Sequence, residues 1–99
     1  ALAGCGPAFV YIFIEALAEA GVSMGLSREV ALQLATQTVK GSASMVAETN
    51  EHPAVLKEKV CSPAGSTIAG VISLEQTGFR SSVIEATRRA KQRTEELGQ

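Results

Sequence analysis

Hydrophobic and polar positions alternate along this chain with the period of helices. From Ala8 the run Phe9-Val10-Tyr11-Ile12-Phe13-Ile14 is apolar on every face of a helix, where a surface helix would show one apolar stripe. Taken alone, those six β-branched and aromatic residues also read as a strand. The continuation Glu15-Ala16-Leu17-Ala18-Glu19-Ala20 is made of strong helix formers and predicts one helix reaching about Val22. Pro7 is expected at its first helical position, after a flexible Gly4-Cys5-Gly6 entry. Gly21 and Gly25 weaken and end it, and Ser27, with Glu29 in the following turn, is placed to cap a second long helix.

The second helix carries Val30, Leu34, Thr38 and then Ser42 or Met45 at helical spacing, with Ala31, Ala35 and Ala43 beside them. It ends between Glu48 and Glu51. His52-Pro53 starts a short third helix through Val55, Leu56 and Val60. A fourth runs from about Gly65 to Gln76 and is closed by Gly78, and a fifth covers Phe79 to Leu97 with Phe79, Val83, Ala86, Ala90 and Leu97 near one face. The expected fold class is therefore all-α, a bundle of about five helices in one domain over residues 1–99.

Composition sharpens this picture. Of the 99 residues, 45% are hydrophobic and 19% charged, and a domain of this size buries only about two-thirds of its unfolded surface, so the first helix needs a partner to cover it. Every acid is Glu, which favours helices. A net charge of -1 leaves no electrostatic footprint for nucleic acid or an anionic membrane. Glu15 and Glu19 interrupt the apolar run short of the roughly 20 residues a bilayer needs, so no membrane span is expected. Cys5 and Cys61, far apart and without a CxxC, fit two reduced cysteines of a cytoplasmic protein, or a mitochondrial one in a eukaryote. The single His rules out a multi-histidine metal centre, and no metal is expected. The opening Ala1-Leu2-Ala3-Gly4 lacks the basic start of a signal peptide and suggests a piece of a longer chain.

The stretch most suited to chemistry is Ser62-Pro63-Ala64-Gly65-Ser66-Thr67, directly before an apolar helix. Helix starts leave backbone N–H groups without partners, which makes them sites for a carboxylate or phosphate. Gly65 lets a ligand approach the backbone, and Ser66 or Thr67 adds a hydroxyl donor. From these residues alone, plain helix capping by Ser62 or Ser66 is the default reading. Outside the turn, His52 reads as a surface or capping residue, Glu15 and Glu19 as solvated or arginine-paired carboxylates, and Tyr11 as a core or interface aromatic. Cys61 has no base placed beside it for nucleophilic work.

The run from Leu56 to Glu75, containing Val60-Cys61-Ser62-Pro63-Ala64-Gly65-Ser66-Thr67-Ile68-Ala69-Gly70-Val71, resembles the signature of the pyrroline-5-carboxylate reductases. The opening Gly4-Cys5-Gly6-Pro7-Ala8, the block Glu15 to Val22 with Gly25-Leu26, and His52-Pro53 are similar to that family in the same order. The resemblance implies a C-terminal helical domain of the kind seen in 6-phosphogluconate dehydrogenase-type reductases, interlocked as a homodimer or higher homo-oligomer. It implies an N-terminal Rossmann domain, absent here, that binds NADP or NAD. The implied reaction reduces 1-pyrroline-5-carboxylate to L-proline, with the substrate carboxylate held by the N–H groups of Gly65, Ser66 and Thr67 and the hydroxyls of Ser62 and Thr67. Thr67 is the residue expected to act closest to the reacting nitrogen. The sequence departs from the family's usual pattern at Cys5, Cys61 and Ala64, where Ser, Ser or Thr, and a second Gly are common. The acidic neighbourhood before His52 is Asn50-Glu51. Two alternatives remain: a non-catalytic dimerisation module, and a related β-hydroxyacid dehydrogenase, for which Lys40 is the one mid-helix lysine before the third helix.

Overall fold

The computed structural model describes residues 1–98, and all five expected helices are present. They are α1 (Leu2–Ser23), α2 (Arg28–Thr49), α3 (Pro53–Lys59), α4 (Ser66–Gln76) and α5 (Phe79–Leu97), with no strand among the described residues. The strand reading of residues 9–14 is thereby excluded. The first helix begins earlier than expected: Leu2 opens it, the Cys5 N–H reaches the Ala1 carbonyl at 2.9 Å, and Pro7 lies inside the helix instead of at its first position. Proline's missing N–H falls only just beyond the first turn, where few intrahelical bonds are lost.

Two compact units make up the chain, one of residues 7–52 and one of residues 1–6 with the chain from Pro53 onward. In the first unit α1 ends in a Schellman motif. Gly25 has φ +106° and donates its N–H to the Val22 carbonyl at 3.0 Å, and the Leu26 N–H reaches back to Gly21 O at 3.1 Å. Ser27 then caps α2, its Oγ accepting the Val30 N–H at 3.3 Å, and Asn50 closes α2 in the left-handed conformation with its N–H on Val46 O. The buried apolar residues are Ala31 and Ala35, each 3% exposed. Val30 and Leu34, expected to form the stripe of α2, are exposed. The reason is geometric: Gly21, the buried residue of α1, leaves so little room that a Cβ there would stand 3.1 Å from the Ala31 Cβ, and only small side chains permit that approach.

In the second unit α4 packs on α5, with Gly78 (φ +81°) as the joint and Arg80 Nε paired to Glu75 at 2.9 Å across it. Ala1 and Leu2 line an open groove with Val83, Ile84, Thr87, Arg88 and Lys91.

The surface of α1 is the anomaly. Tyr11 is 64% and Ile12 63% exposed, and Val10 and Phe13 are exposed beside them. With its start at Leu2, α1 has 22 residues and is apolar enough to cross a membrane by length and composition alone, so shortness no longer argues against a span. Glu15 and Glu19, one turn apart, remain the polar interruption.

Candidate functional site

The turn at Ser62 is built from the end of α3. Its last residues tighten, the Val60 N–H bonding to Lys57 O at 3.2 Å and the Cys61 N–H to Glu58 O at 3.1 Å, which delivers the chain to Ser62. Ser62, Pro63, Ala64 and Gly65 then form a β-turn closed by the Gly65 N–H on Ser62 O at 3.1 Å. Proline sits at its second position and a positive φ, 59° at Ala64, at its third, which is the pattern of a type II turn. An alanine there crowds its Cβ against the following carbonyl, at a cost of about 1–2 kcal/mol that a glycine escapes.

Helix α4 starts at Ser66 with Gly65 as its N-cap, extended at φ −83° and ψ 175°, and no side chain caps it. The capping reading of Ser62 and Ser66 therefore fails: the cap position is filled by a residue without a side chain. The N–H groups of Ser66, Thr67 and Ile68, the first three of the helix, have no intrahelical acceptor. No carboxylate occupies that first turn to offset the helix dipole. Ser62 and Thr67 are exposed, and Gly65 is half-buried.

Two details alter the expected donor set. The Gly65 N–H is committed to Ser62 O, so Gly65 contributes access and not a donor. A Cβ on Gly65 would stand 2.5 Å from Ser62 Oγ, so the serine hydroxyl fills the space that any other residue's side chain would need. Thr67, like Thr36, differs from the chain's five other threonines. The hydroxyls of Thr38, Thr49, Thr77, Thr87 and Thr94 each bond to the carbonyl four residues back, at 2.6 to 3.0 Å. Thr67 is the second residue of its helix, four residues after Pro63 in the turn, and its hydroxyl makes no such bond.

The other candidates take ordinary places. Glu19 pairs with Arg28 Nη1 at 2.8 Å on the surface, as expected, and Glu15 stands with them along a shallow groove. Cys5 and Cys61 are unpaired and half-buried. His52 and Lys40 are exposed. Among the described residues no group of three or more His, Cys, Asp or Glu could hold a metal ion. Ala64 is the position that sequence reasoning undervalued, since alanine carries no signal for a left-handed turn.

Residues 1–97 match the family model of pyrroline-5-carboxylate reductase dimerisation. The chain belongs to the pyrroline-5-carboxylate reductase family. It is 57% identical over 97 residues to the pyrroline-5-carboxylate reductase of Synechocystis, covering 98% of this chain and 36% of that protein. Among solved structures it is similar to the Plasmodium falciparum pyrroline carboxylate reductase crystallised with NADP bound, at TM-score 0.94 and 43% identity over 99% of this chain and 37% of that one. The Coxiella burnetii pyrroline-5-carboxylate reductase superposes at TM-score 0.93 with 40% identity, over 97% of this chain and 36% of that one. The chain thus spans little more than a third of the length of these reductases, and what it spans is their helical dimerisation domain. The match to a dimerisation domain indicates homo-oligomerisation.

Proposed function

We propose that this chain is the dimerisation and substrate-holding part of an enzyme that reduces 1-pyrroline-5-carboxylate to L-proline with NADPH or NADH, and that it is inactive alone. The described residues contain no strand and no glycine-rich βαβ turn, so they do not fit a dinucleotide. We assign the cofactor mainly to the remainder of the protein. A reduced nicotinamide held there would supply the hydride for the reduction of the imine.

This chain's part is to hold the substrate. The observation that carries this reading is the uncapped start of α4 in a chain of this family. The Ser66 and Thr67 N–H groups, the Ser62 hydroxyl beside Gly65 and the unspent Thr67 hydroxyl suit a carboxylate, whose charge the helix dipole favours. Held there, the cyclic imino acid presents one ring face, and the Thr67 hydroxyl is the group we place nearest its nitrogen. The protein works as a homodimer or higher homo-oligomer, α1 facing a partner copy and not lipid or nucleic acid, in the cytoplasm or, in a eukaryote, the mitochondrion. The dimerisation match and the paired Glu19 and Arg28 support that placement of α1.

The test is NAD(P)H oxidation by the full-length protein with 1-pyrroline-5-carboxylate. Thr67→Ala should lower kcat/KM by about ten-fold or more, because a hydrogen bond to a charged group contributes roughly 1.5–3 kcal/mol. An unchanged kcat/KM would remove Thr67 from the site.

A further inference from the structure

Helix α1 opens without a start signal. Ala1 stands at its cap position, its carbonyl accepting the Cys5 N–H at 2.9 Å, and alanine is among the poorest capping residues. No acidic residue lies in the first turn to offset the helix dipole. Gly4 and Gly6 weaken the stretch, and Pro7 offers no N–H to the Ala3 carbonyl. A turn with so little local support keeps its helical form through what it packs against. Residues 1–6 belong to the compact unit of α4 and α5, and Ala1 and Leu2 form one side of a groove. Val83, Thr87 and Lys91, with Ile84 and Arg88, form the other, each four residues apart on one face of α5. Leu2, Val83 and Ile84 are exposed there, and neither Arg88 nor Lys91 meets an acid among the described residues.

We propose that this groove is the seat of the residues that directly precede Ala1 in the whole protein, which continue α1 upstream, cover Val83 and Ile84, and set an acidic side chain against Arg88 and Lys91. The chain covers 36% of the length of the Synechocystis reductase, so a protein of this family has further residues to place. As the C-terminal part of such a protein, this domain is joined to them at Ala1. From Val83 to Lys91 the α5 face runs about 12 Å, the length of roughly two added helical turns. A segment joined to Ala1 leaves from the groove's own side, at an effective concentration that a separate molecule does not reach. A second copy in the groove would have to share it with that segment. An exposed ion pair adds little, so the apolar cover carries most of the hold and the two cations set the register. The segment thereby ties the rest of the protein to α5 of the same chain.

The experiment is hydrogen exchange, read peptide by peptide in the full-length protein with light scattering alongside, for wild type, Ile84→Asp and Arg88→Glu. In the wild type, the amides of the two turns before Ala1 should exchange at least about a hundred-fold more slowly than in an unfolded chain. Ile84→Asp should speed their exchange about ten-fold or more, with α2 and the oligomeric mass unchanged. Arg88→Glu, on the exposed rim where folding is not at stake, should speed it about two- to five-fold. Unprotected amides before Ala1 in the wild type, or protection that either variant leaves untouched, would overturn the proposal. So would a fall in mass with Ile84→Asp while those amides stay protected, which would give the groove to a second copy. If Ile84→Asp does not fold, the wild-type protection and Arg88→Glu decide the matter.

Discussion

Replacing Gly21 by valine tests the packing on which the α1–α2 hairpin depends. A Cβ at Gly21 would lie 3.1 Å from the Ala31 Cβ and 3.3 Å from Leu26 Cδ1, inside the roughly 3.5–4.0 Å at which carbon atoms attract. Valine adds two methyl groups beyond that Cβ, so either α2 moves away or Leu26 leaves its place in the Schellman motif. Overpacking of this kind costs about 1–3 kcal/mol. The better helix propensity of valine returns only about 0.3–0.5 kcal/mol. A net destabilisation of about 1–2 kcal/mol follows, read by urea titration at one fixed protein concentration, since the unfolding of a dimer depends on concentration. Gly21→Ala should be close to neutral: its lone Cβ needs a shift of a few tenths of an ångström, which the gain of about 1 kcal/mol in helix propensity offsets. Ala31→Gly removes the opposing methyl and should cost at least about 1 kcal/mol less in the Gly21→Val background than in the wild type, the coupling expected of residues in contact. Equal costs in both backgrounds, or a valine variant within about 0.5 kcal/mol of wild type, would refute the close approach.

Ser27→Ala should cost about 1 kcal/mol by leaving the Val30 N–H without its acceptor, and Ser27→Asp should keep most of that stability; both are read from the same titrations. By light scattering the 99-residue chain should have at least twice its 10.3 kDa mass, and a monodisperse species of 10.3 kDa would remove the partner from the account of α1.

Helix number and order were legible because each boundary carries a residue with a mechanism: Ser27 as a cap, Pro53 at a first position, Gly25 and Gly78 in left-handed closures. Elsewhere a local rule meets a longer-range one. Propensity puts Pro7 at a helix start, yet α1 already runs from Leu2. Val30 and Leu34 looked like the core of α2 because they are large, whereas the chain's own packing uses Ala31 and Ala35 against Gly21. Large apolar residues mark a core only when their cover belongs to the same chain, and in a dimerisation domain much of it does not. At the site, Pro63, Gly65 and the hydroxyl residues announce a turn before a helix, and the ligand proposed for it comes from resemblance alone. The backbone at Ala64 and the commitment of the Gly65 N–H were not legible, because both follow from how the turn closes and not from the residue types in it.

The hydroxyl of Thr67 offers the cleanest separation of binding from stability. In Thr87 or Thr94 the hydroxyl donates to a backbone carbonyl four residues back, so replacing it by the isosteric valine disturbs a bond the fold already makes. At Thr67 no such bond exists, since the residue four positions earlier is Pro63 in the turn, outside the helix. Thr67→Val keeps the branched shape and removes only the oxygen, so the folded state loses nothing it was using and Tm should stay within about 1 °C of wild type. The substrate, by contrast, loses a donor to a charged or polar atom, and kcat/KM should fall about ten-fold or more. Thr67→Ser, which restores the oxygen without the methyl, should recover most of that loss. A valine variant that melts several degrees lower would mean the hydroxyl serves the fold. One that melts and turns over like wild type would mean it serves neither, and the carboxylate would then rest on the N–H groups of Ser66 and Thr67 alone.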